Sequence, residues 1–215
     1  TARAVIVTAP MTVLAAGKIT FTPDLPTAYQ QAFADLPFGL VDKLGIAFSS
    51  DIFGATPANT VITRRLDADL SAFAMALARL ADQPMMNLFF ADDLARELEA
   101  GGEAAVPDVG LGERAAQEAF AREFLTDTYG ADAAKAIERT IIHPWGTDPW
   151  AMGSYSAARV GKVGARATLA QSIDDRLYFA GEAVSTNAHS SLHGAFLTGQ
   201  SAARQIADRY ATTLH

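Results

Sequence analysis

The chain has 215 residues, half of them hydrophobic, a formal net charge of −7 and no cysteine. That composition can build a sizeable core, and it excludes a disordered segment, a disulfide scaffold, cysteine metal sites and thiolate catalysis. The acidic balance argues against nucleic acid or an anionic membrane as a main partner and suits a cationic amine; with no apolar run of membrane-spanning length and no signal peptide, the chain reads as soluble, more in keeping with the cytoplasm than with secretion.

In chain order, Ala4 to Thr8 reads as a short buried strand stopped by Pro10, followed by a helical turn over Met11 to Ala15 before Gly17. An extended piece from Ile19 leads to a helix over Thr27 to Asp35, then to a turn at Leu36-Pro-Phe-Gly and a strand over Val41 to Phe48. Strands are expected at Thr60 to Thr63, Met85 to Phe90 and Arg139 to His143, and helices at Ala68 to Leu80, Ala91 to Ala100, Glu113 to Tyr129 and Asp132 to Ile137. The alternation predicts a mixed α/β (α+β) architecture, with no internal repeat or low-complexity linker.

Lys43 stands out on its strand. Alternation puts Val41, Lys43, Gly45 and Ala47 on one face and Asp42, Leu44, Ile46 and Phe48 on the other, so small residues flank the lysine while the large apolar face packs a core. The amine either reaches a cavity or snorkels to solvent from an edge strand. The passage Trp145-Gly-Thr-Asp-Pro-Trp-Ala-Met-Gly-Ser-Tyr-Ser concentrates aromatic side chains that serve as core or as a ligand wall. Asp92, Asp93, Glu97 and Glu99 read as a solvated helix face.

The tail is the most informative stretch. Leu177 to Ala180 suits a buried strand, Gly181 permits a sharp turn, and Glu182 sets a carboxylate at the strand's end. Ser190 and Ser191 are natural caps for a helix on which Leu192, Ala195, Phe196, Gly199, Ala203, Ile206 and Tyr210 recur at helical spacing. Free amides and partial positive charge at its start favour an electron-rich or anionic ligand atom. His189 and His193 lie four apart without a cysteine or an acidic third ligand, so no metal site is predicted, and no glycine-flanked nucleophile turn accompanies the serines.

Phe179-Ala-Gly-Glu and His193-Gly-Ala, together with Leu36-Pro-x-Gly-x-x-x-Lys43 and the Trp145 to Ser156 passage, resemble the flavin-dependent amine oxidases: monoamine and polyamine oxidases, L-amino-acid oxidases and lysine-specific histone demethylases. The resemblance implies FAD as cofactor and a small-molecule amine as substrate, oxidised at its C–N bond by hydride transfer to flavin N5, with imine, carbonyl compound and hydrogen peroxide following. It implies that Glu182 contacts the sugar-like chain of FAD, that Gly181, Ser191 and the backbone of Leu192 line the flavin, that Lys43 holds a water against N5, that Tyr155 is one wall of an aromatic cage, and that Trp145 is a cofactor contact. Ser191 falls where monoamine oxidases carry the second tyrosine, so a full two-tyrosine cage is not expected, and wider or differently shaped substrates are.

Family members carry a G-x-G-x-x-G turn near their N-terminus, and none occurs here. The sequence is therefore expected to be the C-terminal part of a flavoenzyme, inactive alone, with residues 1–17 and 173–215 completing a FAD-binding domain and 18–172 forming a substrate domain. The implied partner is the missing N-terminal FAD-binding portion or subunit, and a homodimer is an open arrangement. A flavin desaturase or porphyrinogen oxidase could share the Phe-Ala-Gly-Glu region, but Lys43 and the Trp145 to Ser156 passage speak against it. A non-catalytic remnant of the fold is the rival from another class.

Overall fold

The computed structural model describes residues 1–66, 73–102 and 115–211. They form two compact units, one of Thr1–Gly39 with Asp148–His215 and one of Leu40–Thr147.

In the first unit, β1 (Val5–Val7) pairs in parallel with β9 (Leu177–Phe179), so segments remote in sequence meet as Val5 opposite Leu177 and Val7 opposite Phe179. Helices α1 (Met11–Ala15), α2 (Thr27–Asp35) and α6 (Ala165–Leu169) pack Met11, Leu14, Phe33, Leu36 and Leu169 around the Phe179 ring. Phe33 meets that ring edge-on at 5.4 Å, a favoured aromatic geometry. A short antiparallel pair, β2 (Phe38–Gly39) with β8 (Tyr155–Ser156), brings the Trp145 passage back beside Leu36. Gly153 is required there: its φ is +132°, and a Cβ would stand 2.6 Å from the Cβ of Phe38.

The long helix α7 (Leu192–Ala211) runs as expected, but its inner face differs from the predicted one. Gly194 and Ala202 are the buried positions, with Thr198, Ile206 and Tyr210 half-buried on the same i, i+4 stripe, whereas Leu192 and Phe196 are exposed. The reason is size. A Cβ on Gly194 would lie 1.9 Å from the Ala188 carbonyl oxygen, so the backbones meet where the side chain is smallest, and the bulky residues turn outward.

In the second unit, five strands form one antiparallel sheet in the order β4 (Thr60–Arg65), β5 (Phe73–Ala78), β6 (Met85–Ala91), β3 (Val41–Phe48), β7 (Ile137–Ile142). One face carries Leu44, Ile46, Phe48, Ala74, Ala76, Ala78, Met86, Leu88 and Phe90, all buried against α3 (Asp92–Gly102), α4 (Ala115–Tyr129) and α5 (Ala131–Lys135). The helix expected over Ala68 to Leu80 is corrected: residues 73–78 are strand, while 68–72 lie outside the described residues. Alanine-rich Phe73-Ala-Met-Ala-Leu-Ala favours a helix by propensity, yet its small and large residues alternate, and pairing of Met75 with Phe89 on β6 decides the matter. Residues 113 and 114 of the next expected helix likewise lie outside the described residues, and Ile137 belongs to β7 rather than to α5.

Candidate functional site

At the end of β9 the chain turns through Gly181, whose φ of +147° only glycine adopts readily, into a 3-10 turn over Glu182–Val184. The Gly181 N–H donates to Thr198 Oγ1 of α7 at 3.0 Å, tying the strand's end to the long helix. Ser191 caps that helix: its Oγ accepts the Gly194 N–H at 3.1 Å and donates to the Ala188 carbonyl. The capping role expected for Ser191 is thus present. Ser190 does something else. Its φ of +60° is left-handed, and its N–H points at Glu182 Oε2, 2.7 Å away, while its hydroxyl donates to the Ser156 carbonyl at 3.0 Å. A non-glycine residue held there costs about 1–3 kcal/mol, which these two bonds offset.

Glu182 is accordingly the hub of a cradle. Ser156 N–H donates to Oε1 and the Ser156 hydroxyl to Oε2, each at 2.8 Å, so with Ser190 the carboxylate accepts three protein donors. Two fall on Oε2 and one on Oε1, which leaves Oε1 the capacity for one further donor. Behind Ser156 lies Arg166 of α6, almost wholly buried. Its Nη1 donates to Ser156 Oγ at 2.7 Å and to the Ala183 carbonyl at 2.8 Å. Burial pulls the Arg166 guanidinium below the ordinary arginine range, and the negative charge of Glu182 works against that shift.

Tyr155 precedes Ser156 on β8, so its side chain leaves the opposite face of the strand, where it is half exposed. Leu192, at the first turn of α7, is 89% exposed, with the exposed Phe196 one turn on. Glu182, Gly181, Ser191, Leu192 and Tyr155 all belong to the first unit, the first four around one turn and one helix start and Tyr155 on the neighbouring β8. Sequence reasoning missed Ser156 and Arg166 as partners of Glu182. Two hollows of the same unit, of about 480 and 330 Å³, are lined by other residues, among them Arg3, Phe21 and Arg176 in one and Leu14, Ile19 and Phe33 in the other.

Lys43 and Trp145 belong to the second unit. Lys43 is exposed on the face of β3 that the helices do not cover. It is not on an edge strand, since β3 pairs with both β6 and β7. Its flank is also less small than the alternation along β3 suggested: Phe89 stands opposite it on β6, and Nζ lies 5.4 Å from the centre of that ring. Met75 continues the row on β5, and Val61, Phe73, Met85 and Ile141 are further exposed apolar residues of this sheet.

Trp145 is partly exposed, with its ring 4.3 Å from that of His143. Two buried carboxylates hold its backbone. Asp42 Oδ1 accepts the Trp145 N–H at 3.3 Å and Glu99 Oε1 the Gly146 N–H at 2.8 Å. Glu99 is a correction: it is 3% exposed, not part of a solvated face, because the helix turns it inward to satisfy that amide. Gly146 leaves no room for a side chain, since its Cβ would sit 2.6 Å from Glu99 Oε2.

Residues 1–207 match the model of the family described as flavin containing amine oxidoreductase. The "Lysine-specific histone demethylase 1 homolog 2" of Arabidopsis thaliana is 30% identical over 214 residues, covering 94% of this chain and 26% of that protein. "Polyamine oxidase 4" of Oryza sativa subsp. japonica is 28% identical over 208 residues, covering 97% of this chain and 40% of that one. Among solved structures, cyclohexylamine oxidase from Brevibacterium oxydans IH-35A superposes with a TM-score of 0.70 at 20% identity, covering 98% of this chain and 44% of its own. Putrescine oxidase bound to putrescine gives a TM-score of 0.70 at 18% identity, over 97% and 42% of the two chains. These likenesses bear out the mixed α/β fold, and the chain spans well under half the length of these relatives. With the family model matched over nearly its whole length, this chain belongs to the flavin containing amine oxidoreductases, whose cofactor is FAD.

Proposed function

We propose that the chain is the C-terminal part of an FAD-dependent amine oxidase that converts a C–N bond to an imine, then to a carbonyl compound, with dioxygen reduced to hydrogen peroxide. The observation that carries this reading is the Glu182 cradle. A carboxylate at a strand's end, held by three donors and keeping acceptor capacity on Oε1, suits a sugar-like hydroxyl as its next partner. The free amides at the start of α7, beside the exposed Leu192, suit the electron-rich edge of a flavin. The residues present therefore fit the cofactor: Glu182, Gly181, Ser191 and the Leu192 backbone would hold it, with Trp145 as a further contact. Bound FAD supplies the acceptor for the hydride lost from the amine's α-carbon.

The chain's own residues supply the rest. Tyr155 presents a half-exposed ring that orients the amine and excludes water from one side of it. Lys43 offers an exposed ammonium beside an apolar sheet face, suited to holding a water for imine hydrolysis or for reoxidation. Ser191 is committed to capping α7, so no second aromatic wall stands at its position. By role, residues 1–17 and 173–215 complete the FAD-binding part and 18–172 form the substrate part; the cradle then draws Ser156 from one and Glu182 from the other. The missing N-terminal portion is the partner that provides the pyrophosphate turn, so the 215 residues alone are inactive. The substrate is a small-molecule amine.

The test is co-expression with the N-terminal portion that the relatives carry. Flavin absorbance in the purified complex, amine-dependent peroxide formation and no turnover by the chain alone are the expected results. No flavin uptake would favour a non-catalytic remnant instead.

A further inference from the structure

Arg166 is nearly unexposed, and its interactions are unusually directed. One guanidinium bridges Ser156 and Ala183, the residue after Glu182, and so staples together the two segments from which the cradle is built. A hydroxyl carries one proton. With Arg166 Nη1 donating into Ser156 Oγ at 2.7 Å, the Ser156 proton is committed outward to Glu182 Oε2 at 2.8 Å. Packing alone does not require an arginine here. Its Nε has no acceptor among the described residues, so the side chain carries an incompletely satisfied charge into the interior, a cost that an apolar residue of similar length would avoid.

We propose that Arg166 is the positioning residue of the cofactor site: acting through the Ser156 hydroxyl, it fixes the Glu182 carboxylate with Oε1 turned toward the sugar-like chain of the flavin nucleotide. The proposal rests on the FAD reading above. A chain of guanidinium, hydroxyl and carboxylate polarises each link, and removing either of the first two members loosens the third without touching the ligand.

The experiment is a double-mutant cycle read as the FAD dissociation constant of the complete enzyme, by flavin fluorescence quenching on the apoprotein. Arg166→Met and Ser156→Ala are each expected to weaken FAD binding about tenfold, the cost of one hydrogen bond to a charged group. In a Glu182→Gln background the same substitutions should add less than about twofold, because the group they position is already altered. Arg166→Lys, which restores one donor toward Ser156, should recover part of the loss. Should Arg166→Met fail to fold by circular dichroism, Ser156→Ala decides alone, since it keeps the guanidinium's bonds to the Ala183 and Ser156 carbonyls.

Losses that multiply in full with that of Glu182→Gln, or an Arg166→Met or Ser156→Ala enzyme with wild-type affinity, overturn the positioning role while leaving the FAD reading intact. A wild-type complex that takes up no FAD, or a Glu182→Gln enzyme of unchanged affinity, overturns the reading and the proposal with it.

Discussion

The cradle around Glu182 and the sheet that carries Lys43 present their candidate side chains by opposite means. Glu182 is held by three hydrogen bonds from Ser156 and Ser190, with Arg166 behind them, so its orientation is a matter of polar geometry. Lys43 has no such polar scaffold among the described residues, only the Phe89 ring beside it, and its position follows from β3 lying between β6 and β7 with its apolar face buried. Polar scaffolding fixes an atom to a few tenths of an ångström, as a group that must accept a particular donor requires. Sheet packing fixes only which side of a layer a side chain leaves.

That contrast can be broken from either side. The largest effect is expected in the sheet's support: Phe124 of α4 is fully buried, and Phe124→Ala should destabilise the fold by about 3–5 kcal/mol in denaturant titration. Gly194→Ala comes next. Its Cβ meets the Ala188 carbonyl, so about 1–3 kcal/mol should be lost and the turn around Ser190 displaced, visible as weakened flavin binding together with a lower Tm. Glu99→Ala removes the acceptor of the half-buried Gly146 N–H and should cost about 1–3 kcal/mol through the amide left without a partner, while Glu97→Ala on the exposed side should stay within about 0.5 kcal/mol. Smallest for stability is Lys43→Met, within about 0.5 kcal/mol for an exposed side chain, yet it should slow flavin reoxidation or turnover with FAD still bound. Unchanged kinetics would remove Lys43 from the mechanism.

What the sequence disclosed follows the same division. The strand, glycine turn and acid at 177–182 were legible because each depends on local chemistry, and so was the alternation of β3. Ser156 and Arg166 were not, since they reach Glu182 across 26 residues and Ala183 across 17, through a fold that no local pattern encodes. Glu99 was misread because its helix face is acidic all along, and only the folded loop shows that one of those acids has an amide to satisfy. The inner face of α7 was misread because periodicity favours large apolar residues, whereas the close approach at Gly194 selects for the absence of a side chain. On β5, alanines that look helical are the small side of a strand packed under helices.

The central claim, that the Glu182 cradle holds FAD, is tested most directly by titrating the apo form of the complete enzyme with FAD, wild type against Glu182→Gln. Loss of a charged acceptor predicts a dissociation constant raised about tenfold or more with the fold unchanged. Equal affinity in the two proteins would contradict it.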